Sequence, residues 1–182
     1  MPTRQVPLGH VLLFWGIALG GMAFDLISKT LIFAQVPFGS TRSVIPGMLE
    51  LHPSHNKGAL WGWGSSIPYS GYLFAALSVL AGLGICWYLF LKKAAVDARL
   101  TAALALIMAG ALGNCFDRLV YGYVRDFAHL HIDRIHFECA IFNFADNMLV
   151  AGSIFLMVLA LRPEPSIETT EPASPTEAAV SK

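Results

Sequence analysis

The chain has 182 residues, 55% of them hydrophobic and 13% charged, with 12 Lys and Arg against 12 Asp and Glu. Soluble domains carry about 25% charged residues, so an ordinary soluble enzyme, a coiled coil and a disordered chain are all excluded. With no basic excess there is no electrostatic footprint for nucleic acid, and the composition is that of a small integral membrane protein.

In chain order, the first apolar stretch covers residues 11–33 and is interrupted by Asp25 and Lys29. A span needs roughly 20 mostly apolar residues, and this run suffices. Arg4 ahead of an apolar run also fits a secretory signal peptide. No small-residue cleavage site precedes a soluble domain, however, so a retained span is expected. The following segment is broken by Pro37, Gly39, Pro46, Gly47, Pro53 and Gly58, with strand-compatible residues over 44–52. The second span is 69–91, closed by Lys92 and Lys93. The third runs from 100 to about 120, clean until Asn114. Residues 120–132 place Val124, Phe127, Leu130 and Ile132 among polar neighbours, and the two outer loops together predict a small extracytoplasmic β-element. The fourth span is 141–161, interrupted by Asn143, Asp146 and Asn147 and closed by Arg162 and Pro163. Beyond it the sequence is rich in Pro, Glu, Ser and Thr and cannot bury enough apolar surface to fold. The expected architecture is an all-α membrane protein of four transmembrane helices with that small β-element. Residues 1–162 form the membrane domain, and 163–182 form a disordered, acidic, Pro-rich cytoplasmic tail.

Orientation follows from Lys and Arg in short loops. The connection between spans two and three carries Lys92, Lys93 and Arg99, which predicts that it is cytoplasmic. Four spans then put both termini on the same side, in agreement with Arg4 and Arg162.

On this topology the intramembrane polar residues gather at one face. Asp25 and Lys29 lie in the outer half of span one. Asn114, Asp117 and Arg118 end span three, Asn143 and Asp146 open span four, and Asn56 and Asp126 belong to the outer loops. An Asp or Lys at mid-bilayer costs roughly 2.5–3.5 kcal/mol on insertion scales. Snorkelling would explain one such residue, but not two aspartates, two asparagines and an arginine from three spans. Asp25 and Lys29 are four residues apart, an acid over a base on one helix face, which predicts a structural ion pair. Asn114 and Arg118 share the same spacing, and amide and guanidinium groups can hold carboxylates in fixed geometry. Asp126 and Asp146 stand out as two carboxylates at a water–membrane boundary. Brought together they would share a proton, because like charges that close cannot both ionise easily. One would act as base toward a water while the other, protonated, polarises a carbonyl. That chemistry requires no metal and no cofactor. Spacing alone leaves open whether the two meet.

Four blocks of sequence, in order, resemble lipoprotein signal peptidase, the type II signal peptidase family of bacteria. They are Phe24-Asp25-Leu26-Ile27-Ser28-Lys29; His55-Asn56-Lys57-Gly58-Ala59; the run from Gly110 through Asn114, Asp117 and Arg118 to Gly122, Asp126 and Phe127; and Phe142-Asn143-Phe144-Ala145-Asp146. The resemblance covers about residues 10–161. It implies that Asp126 and Asp146 are a catalytic aspartyl dyad, supported by Asn114, Arg118 and Asn143. Asn56 and Gly58 would lie on the substrate side, with Asp117, Asp25 and Lys29 structural or near the site. It also implies a multi-pass protein of the bacterial cytoplasmic (inner) membrane with its active site at the extracytoplasmic face. The substrate would be a prolipoprotein whose cysteine already carries diacylglycerol, cut just before that cysteine, with membrane lipids as surroundings and globomycin-type cyclic peptides as inhibitors. Two features depart from the family: Trp61 and Trp63 after Gly58-Ala59, readable as interfacial anchors, and a segment rich in His and charge, with His129, His131, Asp133, Arg134, His136 and Glu138.

Rival readings are weaker. His129, His131, His136 and Glu138 raise the possibility of a metal enzyme, but no His-Glu-x-x-His occurs, and Cys86, Cys115 and Cys139 show no paired spacing. Ser65 and Ser66 lack a helix-borne base partner. A tetraspan carrier or channel subunit would use Asp25, Lys29 and Asp146 as an ion path, which needs polar groups at full depth, and span two offers none.

Overall fold

The structure, a computed structural model, describes residues 5–58 and 64–161. The expected tail, Arg4, Arg162, Trp61 and Trp63 lie outside the described residues.

Helix α1 (Leu8–Gln35) starts behind Pro7 and ends at Val36, which turns extended ahead of Pro37. Helix α2 (Ser70–Cys86) runs directly into a π-helical turn, Trp87–Leu91. There the Lys92 N–H donates to the Trp87 carbonyl at 3.1 Å. Asp97 caps helix α3 (Ala98–Tyr121), its carboxylate accepting from the Arg99 and Leu100 N–H groups at 2.8 and 3.3 Å. Gly122 ends α3 at φ 79°, a left-handed conformation that favours glycine. Helix α4 (Phe144–Ala160) begins later than the expected 141. Asn143 takes an extended conformation and closes a capping box with Asp146, so the chain before it cannot be helical.

Among the described residues, three helices are long and apolar enough to cross a membrane: Leu8–Gln35, Ser70–Leu91 and Ala98–Tyr121. The fourth apolar helix has 17 residues, about 26 Å at 1.5 Å per residue. Four strands, β1 (Arg42–Ile45), β2 (Leu49–Asn56), β3 (Val124–Ile132) and β4 (Phe137–Glu138), form one antiparallel sheet in that order. Both loops expected to be strand-like supply strands, and the His-rich segment adds β4. The register between β2 and β3 sets Ser54 opposite Asp126 and Asn56 opposite Val124, after a shift between Leu51 and Ser54. Pro53, which has no N–H for the ladder, lies in that shift.

Helix α3 is the axis of the bundle, packing against α1, α2 and α4, and carries most of the buried helical residues. At the end of the Lys92–Lys93 turn the core is apolar, with Phe14, Ala18, Leu89, Ala95, Leu104, Ala105 and Met108 buried together. At the sheet end it is ionic, with Asp25, Lys29, Asp117, Arg125 and Asp126 buried. Leu12, Leu19, Ile27 and Leu31 on α1, Leu80 and Leu83 on α2, and Val150, Ile154 and Met157 on α4 are at least half exposed. Such a continuous apolar outside fits hydrocarbon and not water.

Candidate active site

Asp126 comes from the buried first half of β3, and Asp146 from the first turn of α4. Two asparagines tie them into one cluster. The Asn143 side-chain amide donates to Asp126 Oδ1 at 2.6 Å and to Asn114 Oδ1 at 3.2 Å. Asn114 Nδ2 donates to Asp146 Oδ1 at 2.8 Å. The other oxygen of Asp146 accepts the Asn143 backbone N–H at 3.1 Å, while Asn143 Oδ1 accepts the Asp146 N–H at 3.0 Å. The cap of α4 thus fixes one carboxylate and aims an amide at the other. Asn56 adds a side-chain hydrogen bond to Asp126. Its own Oδ1 accepts the Gly58 N–H at 2.9 Å, which turns the chain back at the end of β2.

Burial first, and the charge of Asp146 second, push the Asp126 carboxyl up to about 7 from an ordinary 3.8. Hydrogen bonds from Asn143 and Asn56 and the charge of Lys29 oppose the rise. Asp126 is therefore the carboxyl suited to hold a proton near neutral pH.

Behind this pair lies a second polar cluster of a different kind. Lys29 Nζ lies 2.7 Å from Asp25 Oδ2 and 3.2 Å from Asp117 Oδ2, and donates to Asn114 Oδ1 at 3.0 Å. The expected pair of Asp25 and Lys29 is therefore present within a larger network. Arg125 grips Asp117 three times, through its backbone N–H at 3.0 Å, Nε at 3.1 Å and NH2 at 2.8 Å. Asp25 Oδ1 accepts the Ala145 N–H at 2.8 Å, pinning the start of α4 to α1. Gly113 makes room for that bond, since a Cβ there would sit 2.5 Å from Asp25 Oδ2. Two acids and two bases cancel, and the cluster is buried.

Arg118 does not hydrogen-bond either carboxylate. Its NH2 donates to the Gly58 carbonyl at 3.2 Å, and its guanidinium lies 5.4 Å over the Phe74 ring. The charges of Asp146 and Asp126 still act on it, and its Nε is a buried donor with no partner among the described residues.

Asn56, Asn114, Arg118, Asp126 and Asp146 form the polar end of a cleft of about 720 Å³. The remainder is apolar, walled by Phe74 and Leu77 of α2, Ile107 and Ala111 of α3, and Leu149 and Val150 of α4. The structure brings together the polar residues expected at the aspartate site, in two joined layers. Asp126, Asp146, Asn114, Asn56 and Arg118 line the cleft, Asn143 and Gly58 hydrogen-bond to lining residues, and Asp25, Lys29 and Asp117 lie behind them. Sequence reasoning missed Arg125. Its one signal was its place beside Asp126, between residues that share a strand. His129, His131, His136 and Glu138 line a different cleft.

Comparisons with known proteins identify the family. A family model described as signal peptidase (SPase) II matches residues 17–162. The lipoprotein signal peptidase of Burkholderia cenocepacia (strain HI2424) is 36% identical over 162 residues, covering 88% of this chain and 95% of that protein. That of Paraburkholderia phymatum is 33% identical over the same shares. A bacterial membrane enzyme solved by the in meso method at 1.9 Å resolution superposes with a TM-score of 0.72 at 29% identity, over 90% of this chain and 99% of that one.

Proposed function

The chain belongs to the signal peptidase II family of lipoprotein-processing membrane proteases, and from that premise we propose that it is an aspartic endopeptidase of diacylglyceryl-modified prolipoproteins. It cuts the peptide bond just before the lipidated cysteine and releases the signal peptide. The observation that carries this reading is the pairing of Asp126 and Asp146 at the polar end of an otherwise apolar cleft. The lipid chains of the substrate stay among apolar side chains of α2, α3 and α4 while the scissile carbonyl reaches the carboxylates.

In the resting site the dyad holds one proton, on Asp126, whose carboxyl is raised to about 7. Its net charge of minus one is then balanced by Arg118. Ionised Asp146 takes a proton from water as general base, and protonated Asp126 donates to the carbonyl oxygen as it becomes an oxyanion. Asn143 and Asn114 keep the two acids in register. Arg118 Nε is available to a peptide carbonyl entering the cleft. A carrier is disfavoured because α2 brings no Asp, Glu, Lys, Arg or His and the polar residues gather at one end.

The helices are read as four spans, with α4 the shortest. The sheet and the dyad face the outside of the cytoplasmic membrane, and both termini face the cytoplasm. The short Lys92, Lys93 and Arg99 connection supports this orientation. Residues 163–182 form an accessory cytoplasmic tail.

The test is purified protein in detergent micelles with a synthetic diacylglyceryl lipobox peptide. Cleavage before the modified cysteine, unaffected by chelators and blocked by globomycin-type cyclic peptides, is expected. No cleavage by well-folded protein would overturn the reading.

A further inference from the structure

The sheet carries a second group of chemically capable side chains outside the peptidase cleft. Glu50, His129 and His131 each offer a ligand atom, and these atoms lie within 4.8 Å of one another. Their convergence is written into the strand register. His129 and His131 are two apart on β3, so both side chains project from one face. Glu50 on β2 stands directly opposite His129, and Glu138 on β4 directly opposite His131. Partners opposite one another share a face, so four groups from three strands meet on the same side. Glu138 Oε1 is 3.2 Å from His129 Nε2, and the rings of His129 and His131 are 5.3 Å apart. These residues line a cleft of about 350 Å³ whose walls share no residue with the cleft of the aspartates.

We propose that Glu50, His129 and His131 form a divalent transition-metal site, with Zn²⁺ as the ion of matching chemistry and Glu138 as a fourth carboxylate within reach. Two imidazoles and a carboxylate are a ligand set Zn²⁺ takes readily. Bonds of about 2.1 Å place tetrahedral ligand atoms about 3.4 Å apart, so side-chain rotation must close the 4.8 Å cluster by up to about 1.4 Å. The backbone ladder already fixes the strands, with His131 N–H donating to the Met48 carbonyl at 2.9 Å. Two glutamates neutralise the ion's charge. A metal here ties β2, β3 and β4 together and takes no part in peptide hydrolysis. The proposal does not rest on the peptidase reading.

The experiment uses full-length, tag-free protein in detergent micelles, titrated with Co²⁺ and with Zn²⁺ against a competing weak chelator. One ion per chain is expected, with visible Co²⁺ absorption of a four- or five-coordinate site and a rise in melting temperature. The variants His129→Gln, His131→Gln and Glu50→Gln should each weaken binding at least tenfold, while His10→Gln, on α1 against the Ala95 carbonyl, should not. Glu50→Gln keeps shape and leaves the backbone ladder untouched, so it reports even if a histidine variant fails to fold. Uptake below one ion per chain at saturating metal, or unchanged affinity in Glu50→Gln together with any folded histidine variant, would overturn the site.

Discussion

Four aspartates are buried or nearly so at one end of this bundle, in two pairs that the fold surrounds with different partners. Asp25 and Asp117 meet cations: Lys29 bridges both, and Arg125 forks onto Asp117. Asp126 and Asp146 meet amides, from Asn143, Asn114 and Asn56. A carboxylate against a cation in a buried site is half of a charge pair, and removing one partner strands the other. A carboxyl against neutral donors is held in place while its proton stays exchangeable. The choice of Asn over Lys or Arg as neighbour thus separates the acids that hold helices together from the acids able to do chemistry.

If that division is right, the two pairs should fail in opposite ways. The largest effect is expected at the amide-bound pair. Asp126→Asn or Asp146→Asn should leave the protein folded and lower cleavage by about 10²–10⁴-fold or more, the usual worth of a positioned acid or base. The double variant should be little worse than either single, because residues acting as a unit are strongly non-additive. Near wild-type cleavage by a folded Asp126→Asn protein would remove Asp126 from the mechanism.

At the cation-bound pair the loss should be of stability. Lys29→Met leaves Asp25 buried and unpaired, a cost of about 3–5 kcal/mol. Adding Asp25→Leu should recover part of it, since Arg125 still holds Asp117. Melting temperatures in detergent decide this, and equal values for wild type, single and double variants would break the comparison. Between the two extremes stands Asn143→Ser. Serine keeps a helix cap and loses the amide that donates to Asp126. Melting should change by less than about 1 kcal/mol equivalent while cleavage falls roughly tenfold, a 1.4 kcal/mol effect.

A smaller effect should appear with pH. The folded-state value of Asp126 lies above its ordinary one, near 7 against 3.8. Its contribution to stability is complete below about 4 and is lost as pH rises through 7. Asp126→Asn, which carries no charge at any pH, should therefore melt a few degrees above wild type at pH 8 and close to it at pH 4. Wild-type melting that rises between pH 5 and 8 more steeply than that of the variant would contradict the sign. The smallest effect is expected from deleting 164–182, which should leave both melting and cleavage unchanged.

Much of this site was legible in the sequence. Hydropathy over twenty residues locates α1, α2 and α3 to within a few positions, because burial in hydrocarbon leaves no alternative pattern. The convergence of Asp25, Asn114, Asp126 and Asp146 on one end follows from counting spans. What stayed hidden was non-local or stereochemical. The alignment of Ser54 with Asp126 depends on a shift around Pro53, which no periodicity announces. The role of Arg125 depends on Asp117 eight residues earlier, across the Gly122 turn. Arg118 was expected on the carboxylates and instead hydrogen-bonds the Gly58 carbonyl, a partner sixty positions away. The late start of α4 was readable after all, since Asn143-x-x-Asp146 has the spacing of a capping box, but an apolar Ile141 and Phe142 pulled the span boundary forward.

The capping box at Asn143 also bears on the order in which the chain is made. Residues up to Asp126 emerge from the ribosome before α4 exists, and they bring one acid, Asn114, and the walls of α2 and α3. Neither the second carboxylate nor the amide that aligns the first is present until α4 winds its opening turn and Ala145 docks on Asp25. Nucleating the last helix and completing the proposed hydrolytic site are one event. If Asp126 and Asp146 are the catalytic pair, a nascent chain cannot cut peptides before α4 has wound, and backbone amide exchange at Ala145 and Asp146 should slow in step with the onset of activity.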